Sequence, residues 1–155
     1  MGIRRRGREC ALQILYQVEV STGAQALNGF YTLSPANLSL AVEAFFAHFD
    51  APPDVLDYAS SLVRGVQLNG PRIDEIIIRH SLKWRLERMP IVDRNVLRIA
   101  TYELMFSSDL PTGVILDEAI EIARRFGGEK SPQFVNGLLD RIAADVRRPL
   151  SGSKT

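Results

Sequence analysis

Arginine occupies positions 4, 5, 6 and 8 of this chain, in the run RRRGR, and an apolar-periodic stretch, ALQILYQVEV, begins three residues later. A guanidinium keeps its charge at physiological pH and meets phosphate oxygens as a planar fork, so such a cluster offers anion binding rather than bond making. At a helix start the choice opposes stability, because the partial positive charge there disfavours each Arg by roughly 0.3 kcal/mol or more. If the helix begins near Arg5, then at about 100° per residue Arg4, Arg5 and Arg8 fall within about 100° of one another and form one patch, while Arg6 points elsewhere. Tyr16 flanks that patch and offers a ring to a base. A second set lies in RRFGGEKSPQF, where Arg124, Arg125 and Lys130 surround a glycine-containing turn before another helix N-terminus, a phosphate-friendly arrangement. Phe134 is either core or a stacking surface. The competing reading of RRRGR is a solvated start that aids solubility.

Composition narrows the alternatives. Nineteen Lys+Arg stand against eighteen Asp+Glu in 155 residues, a formal charge of +1, so any nucleic-acid surface must come from local clustering. One cysteine, Cys10, excludes an internal disulfide framework, and with only His48 and His80 beside it no Cys/His metal site can be assembled. No cofactor is expected. G-x-G-x-x-G, Walker A, G-x-S-x-G and H-E-x-x-H are all absent, and the chain does not read as an enzyme. Asp117, Glu118 and Glu121 precede Arg124 and Arg125 on one helix, which complements the macrodipole better than it suggests acid–base work. His48 and His80 read as surface or half-buried side chains. The start is basic like a signal-peptide n-region, but Gln13, Gln17 and Glu19 break the continuous apolar core that a signal peptide needs. A mature cytoplasmic protein with no membrane-spanning run is expected.

The elements that must position these residues are helices. Apolar residues recur at three and four along nearly every segment and never alternate convincingly at two. The first helix is expected from about Arg5 to Val20, burying Ala11, Ile14, Leu15 and Val18, and Ser21 to Gly23 end it. Ser34-Pro35 caps a second, to about Phe49. VLDYASSLVRGVQL forms a third, stopped by Asn69-Gly70-Pro71; RIDEIIIRHSLKW forms a fourth; IVDRNVLRIATYELMF is apolar enough to be the central core helix. Gly127 is expected as a left-handed stop after TGVILDEAIEIARRF. The last helix, from Ser131-Pro132, turns Val135, Leu138, Leu139, Ile142 and Val146 inward. RRPLSGSKT reads as a frayed end. The fold class is all-α: a compact two-lobed bundle of about seven helices, with lobes over about 1–70 and 71–148 and a flexible tail at 149–155.

RRRGRECALQILYQ, DRNVLRIATYEL and PTGVILDEAIEIARRFGGEKSPQFVNGLLDRI together resemble the NusB family of bacterial transcription antitermination factors, over nearly the whole chain and most weakly between about Ser21 and Val55. The resemblance implies a non-enzymatic, RNA-binding protein that recognises single-stranded boxA RNA. It does so together with NusE, a small-subunit ribosomal protein, in antitermination complexes of transcribing RNA polymerase and other Nus factors on ribosomal RNA operons. It places RNA contacts at Arg4, Arg5, Arg6, Arg8, Tyr16, Lys130, Gln133 and Phe134, and the protein partner at Asp93. It also allows a homodimer that occludes the arginines. Val18 stands where relatives can carry an aromatic, and Lys130 where an acid can occur. Gly137, in FVNG, is expected at a close helix–helix approach, since glycine within a helix costs about 1 kcal/mol relative to Ala. The alternatives are a protein-only helical adaptor whose arginines bind an acidic partner, and a duplex-DNA regulator using SPQFVNG as a recognition helix, whose apolar stripe leaves few base-reading side chains.

Overall fold

Proline sets most of the helix starts. Its fixed φ suits the first turn, where its missing N–H is not needed. Pro35 and Pro53 open their helices, Pro71 and Pro132 take second positions, and Pro90 and Pro111 stand immediately before theirs. The computed structural model describes residues 2–22, 35–48 and 50–147. Among these are seven helices: α1 (Ile3–Thr22), α2 (Pro35–Phe46), α3 (Pro53–Leu68), α4 (Gly70–His80), α5 (Ile91–Phe106), α6 (Thr112–Phe126) and α7 (Ser131–Val146), with a 3-10 turn at Leu86–Arg88 before α5. The Ser34 cap and the 149–155 tail lie outside the described residues. The fourth helix ends at His80, where the Ser81 N–H donates to Ile77 O at 2.9 Å, so Leu82 to Trp84 are loop rather than helix.

Helix α5 packs against α1, α3, α4, α6 and α7. Val96, Leu97, Ile99, Ala100 and Leu104 are buried as the sequence suggests, but so are Asp93, Arg94, Asn95, Arg98, Thr101 and Glu103. The Thr101 hydroxyl has no hydrogen-bond partner among the described residues, but the other five survive burial because they bond to polar groups of other helices. Arg98, fully buried, donates from Nε and Nη2 to the Asp74 carboxylate on α4 at 2.9 and 3.1 Å, and from Nη1 to Glu19 on α1. Arg94 donates to Glu19 as well (Nε 2.9 Å, Nη2 2.5 Å) and to the Met89 carbonyl at 2.7 Å. Burial alone would push the Glu19 carboxyl up, but the Arg94 hydrogen bonds and the Arg98 charge hold it below the usual carboxylate range.

Three glycine and terminal assignments change. Gly127 is extended (φ −94°, ψ −169°) rather than left-handed. It is needed for space, because a Cβ there would lie 2.6 Å from Ser131 Oγ and 2.7 Å from the Ala123 carbonyl oxygen. At Gly137 a Cβ would meet nothing within 4 Å, so no helix approaches it; the close approaches are at Gly7, against Tyr58, and Gly65, against Tyr102. Arg147, expected in a frayed end, donates to the carbonyls of Leu104 (2.9 Å), Ser107 (2.8 Å) and Leu110 (2.6 Å), closing the α5–α6 connection.

Replacing Arg98 by Leu removes both bonds of its fork to the buried Asp74 carboxylate and leaves Glu19 to Arg94 and Asn95, and urea unfolding should show a loss of about 3–5 kcal/mol. Gly137→Ala should do the opposite, raising stability by up to about 1 kcal/mol in the same assay.

Candidate nucleic-acid interface

The phase of α1 decides which arginines face solvent. Its buried stripe, Ala11, Ile14, Leu15 and Val18, continued back by seven residues, falls on Arg4, Gly7 and Arg8. Gly7 is buried against the Tyr58 ring, where a Cβ would lie 2.7 Å from Cδ2. Arg8 is buried with it: its Nε and Nη2 donate to the Glu103 carboxylate at 2.7 and 3.1 Å, and the Tyr58 hydroxyl donates to the same carboxylate. Burial, reinforced by that carboxylate, raises the Tyr58 phenol well above its ordinary range. The guanidinium groups of Arg4 and Arg8 lie 5.9 and 5.8 Å from the Tyr58 ring centroid. Arg4 remains exposed and reaches Asp109 at 3.5 Å.

The expected Arg4–Arg5–Arg8 patch is therefore not assembled. Arg8 is withdrawn from solvent by Glu103, and Arg4 lies about 120° around α1 from Tyr16 at about 100° per residue. Arg5 and Arg6 instead share the outer face with Gln13 and Tyr16, Arg5 lying about 20° from Tyr16 and Arg6 about 20° from Gln13. Tyr16 is 44% exposed. Arg5 donates bidentately to Glu118 on α6 (2.7 and 3.0 Å), and that bond holds the Glu118 carboxyl below its usual range. Arg6 is half-buried and has no acidic partner among the described residues.

Helix α6 runs alongside α1 in the same direction, since Arg5 meets Glu118 and Glu9 meets Arg125 (2.9 Å) further along. Arg124 pairs with Glu121 one turn earlier. Arg124 and Arg125 occupy the last turn of α6 as expected, its first turn holds no acid, and Glu118 and Glu121 in its middle neutralise arginines. Beyond α6, Lys130 and Gln133 are exposed, while Phe134 is half-buried against the core.

Asp93 turns inward. Its Oδ1 accepts from the Ser131 hydroxyl at 2.7 Å, and Ser131 Oγ accepts from the Gly128 N–H at 2.9 Å, so the carboxylate fixes the turn into α7 instead of presenting itself to a partner. Burial raises its pKa, with the Ser131 bond opposing. The same end of α5 holds Glu19 of α1 through Arg94 and Asn95. The later turns of α1, carrying Tyr16, and the start of α7, with Lys130 just before the helix and Gln133 in its first turn, are thereby both anchored at the start of α5. Composition alone does not show Arg6 to be on the outer face, but the apolar phase of α1 carries that signal.

A family model described as the NusB family matches residues 5–144. The chain belongs to the NusB family. Transcription antitermination protein NusB of Myxococcus xanthus is 43% identical over 151 residues, covering 96% of this chain and 100% of that protein. Among solved structures, T. maritima NusB superposes with a TM-score of 0.76 at 40% identity, covering 92% of this chain and 91% of that one. A structure of antitermination factors NusB and NusE in complex with dsRNA gives a TM-score of 0.72 at 26% identity, covering 94% and 98%. No helix among the described residues is long and apolar enough to cross a membrane.

Because the Asp93 pKa is raised above 3.8, its protonated form is favoured by folding: the stabilisation is complete below the unfolded value and is lost as pH rises through the folded one. Asp93→Asn keeps an acceptor for Ser131 without the buried charge. Its Tm should equal or exceed that of the wild type at neutral pH, with the difference shrinking towards about pH 3.

Proposed function

We propose that this chain is an RNA-binding transcription antitermination factor of the cytoplasm. It acts by binding rather than by catalysis, recognising single-stranded boxA RNA together with NusE, within complexes of transcribing RNA polymerase and other Nus factors on ribosomal RNA operons. The observation that carries this reading is the exposure of Tyr16 on the half of α1 that Glu19 anchors at the start of α5, the end at which Asp93 also anchors the turn between Lys130 and Gln133, while Arg6 adds a cation without an acidic partner among the described residues towards the other end of α1. Such a surface offers a ring for an unstacked base and cations for phosphates. Arg5 joins them with its charge shared by Glu118, and Arg4 lies at the margin. Arg8 supports the surface from beneath, Phe134 seats the start of α7, and Asp93 shapes the corner where the protein partner is placed. With few phosphate contacts, affinity alone is modest, and a partner that adds its own surface to the same RNA strengthens it.

Fluorescence anisotropy of labelled boxA RNA and a scrambled control, with and without NusE, tests this. Arg6→Ala and Lys130→Ala should each weaken binding, reduce the salt slope by about 0.7 per lost phosphate contact, and leave stability within about 0.5 kcal/mol. Arg8→Ala should instead lower the Tm, because Glu103 is left buried and unpaired. Equal binding of both RNAs, indifferent to NusE and to the first two substitutions, would overturn the reading.

A further inference from the structure

The segment between α4 and α5 carries a surface that the α1–α7 face does not account for. Leu82 is 86% exposed and Trp84 55% exposed. Lys83, Arg85 and Arg88 are exposed as well, and none has an acidic partner among the described residues; within Lys83 to Arg88 only Glu87 carries negative charge. The backbone beneath is fixed. The Ser81 hydroxyl donates to the Trp84 carbonyl at 2.7 Å, Leu86 is buried, and Arg94 holds the following turn through the Met89 carbonyl at 2.7 Å. The indole is thus held out on an ordered loop and is not a side chain left over from an unfolded one.

We infer that Trp84 is a second stacking platform, on which a base of single-stranded RNA rests while Lys83, Arg85 and Arg88 meet the flanking phosphates. The inference rests on the RNA-binding reading above and extends the RNA path. A flat apolar face amid uncompensated cations matches a ligand whose bases present π-faces and whose backbone is anionic. An apolar protein surface seated here would desolvate the cations without supplying acids. The placement also suits continuity: Arg94 bonds the turn after Trp84 and Glu19 of α1 with the same guanidinium, three residues beyond Tyr16.

Trp84 is the sole tryptophan of the chain, so its emission reports on this site alone. The full chain is titrated with a 3′-labelled single-stranded RNA of about 30 nucleotides containing boxA. Label anisotropy tracks total binding and indole emission tracks contact; polyphosphate and NusE alone serve as separate additions. The RNA should quench the indole and polyphosphate should not. Trp84→Ala should weaken binding about fivefold to a hundredfold, with Trp84→Phe recovering most of the loss. Lys83→Ala/Arg85→Ala should reduce the salt slope by about 1.4, at about 0.7 for each phosphate. RNA that binds by anisotropy with unchanged emission, and equally to Trp84→Ala, would refute the platform and leave the α1–α7 reading standing. Emission altered by NusE and not by RNA would refute it in favour of a protein contact, and no RNA binding by the wild type would remove both.

Discussion

The fold turns on a buried ion cluster in which two arginines of α5, Arg94 and Arg98, meet one carboxylate from α1 and one from α4, Glu19 and Asp74. Replacing such a cluster with apolar residues of equal volume often costs nothing, so its contribution is better understood as specificity than as net stability. Any sliding or rotation of α1 against α5 would leave one of the four charges unpaired in the interior, at a cost of several kcal/mol. The orientation of α1 is held by that threat. Because it is held, the outward direction of Arg6 and Tyr16 is a property of the core and not only of the surface.

At the other end of α1 the same residue type does two opposite jobs within three positions. Arg8 is enclosed with Glu103 and Tyr58, while Arg6 meets no acid among the described residues. Arg5 lies between these extremes, its fork occupied by Glu118 yet its side chain still 40% exposed. Ligand-facing positive charge at this end is therefore smaller than a count of arginines suggests. Most of the cationic density of RRRGR and RRF is cancelled by acids delivered from α1, α5 and α6.

Periodicity makes the helices legible, because burying one face of an amphipathic segment leaves a repeat that survives in the sequence. Proline makes most of their starts legible. What periodicity does not encode is partnership. Arg98 and Glu103 sit at inward positions of α5 among apolar neighbours, and nothing local says that Asp74, Glu19 and Arg8 wait opposite, since the bonds span 24, 79 and 95 residues. Arg8 and Arg6 are misplaced for the same reason: phasing the patch on the assumption that arginines stay outside overlooks the apolar stripe of α1, which puts Gly7 and Arg8 inward and leaves only Arg4, at the helix end, exposed on that side. Propensity alone misreads Gly137, since an empty surface leaves no trace in a sequence. Trp84 reads as helical because IIIRHSLKW keeps its apolar spacing past the point where Ser81 ends α4.

The reach of those bonds along the chain has a consequence for how the protein is made. Arg5 finds Glu118 across 113 residues, and at about 5–20 residues per second its carboxylate leaves the ribosome roughly 6–23 s after the arginine does. Through that interval the first helix is a nascent segment with an arginine-rich start, an apolar stripe and no α5 or α6 to cover it. Arg147, whose guanidinium closes the α5–α6 connection, arrives later still. The native arrangement can lock only when synthesis is nearly complete, and until then an emerging chain destined to handle nascent RNA presents its own unpaired arginines to the RNA-rich surface of the ribosome.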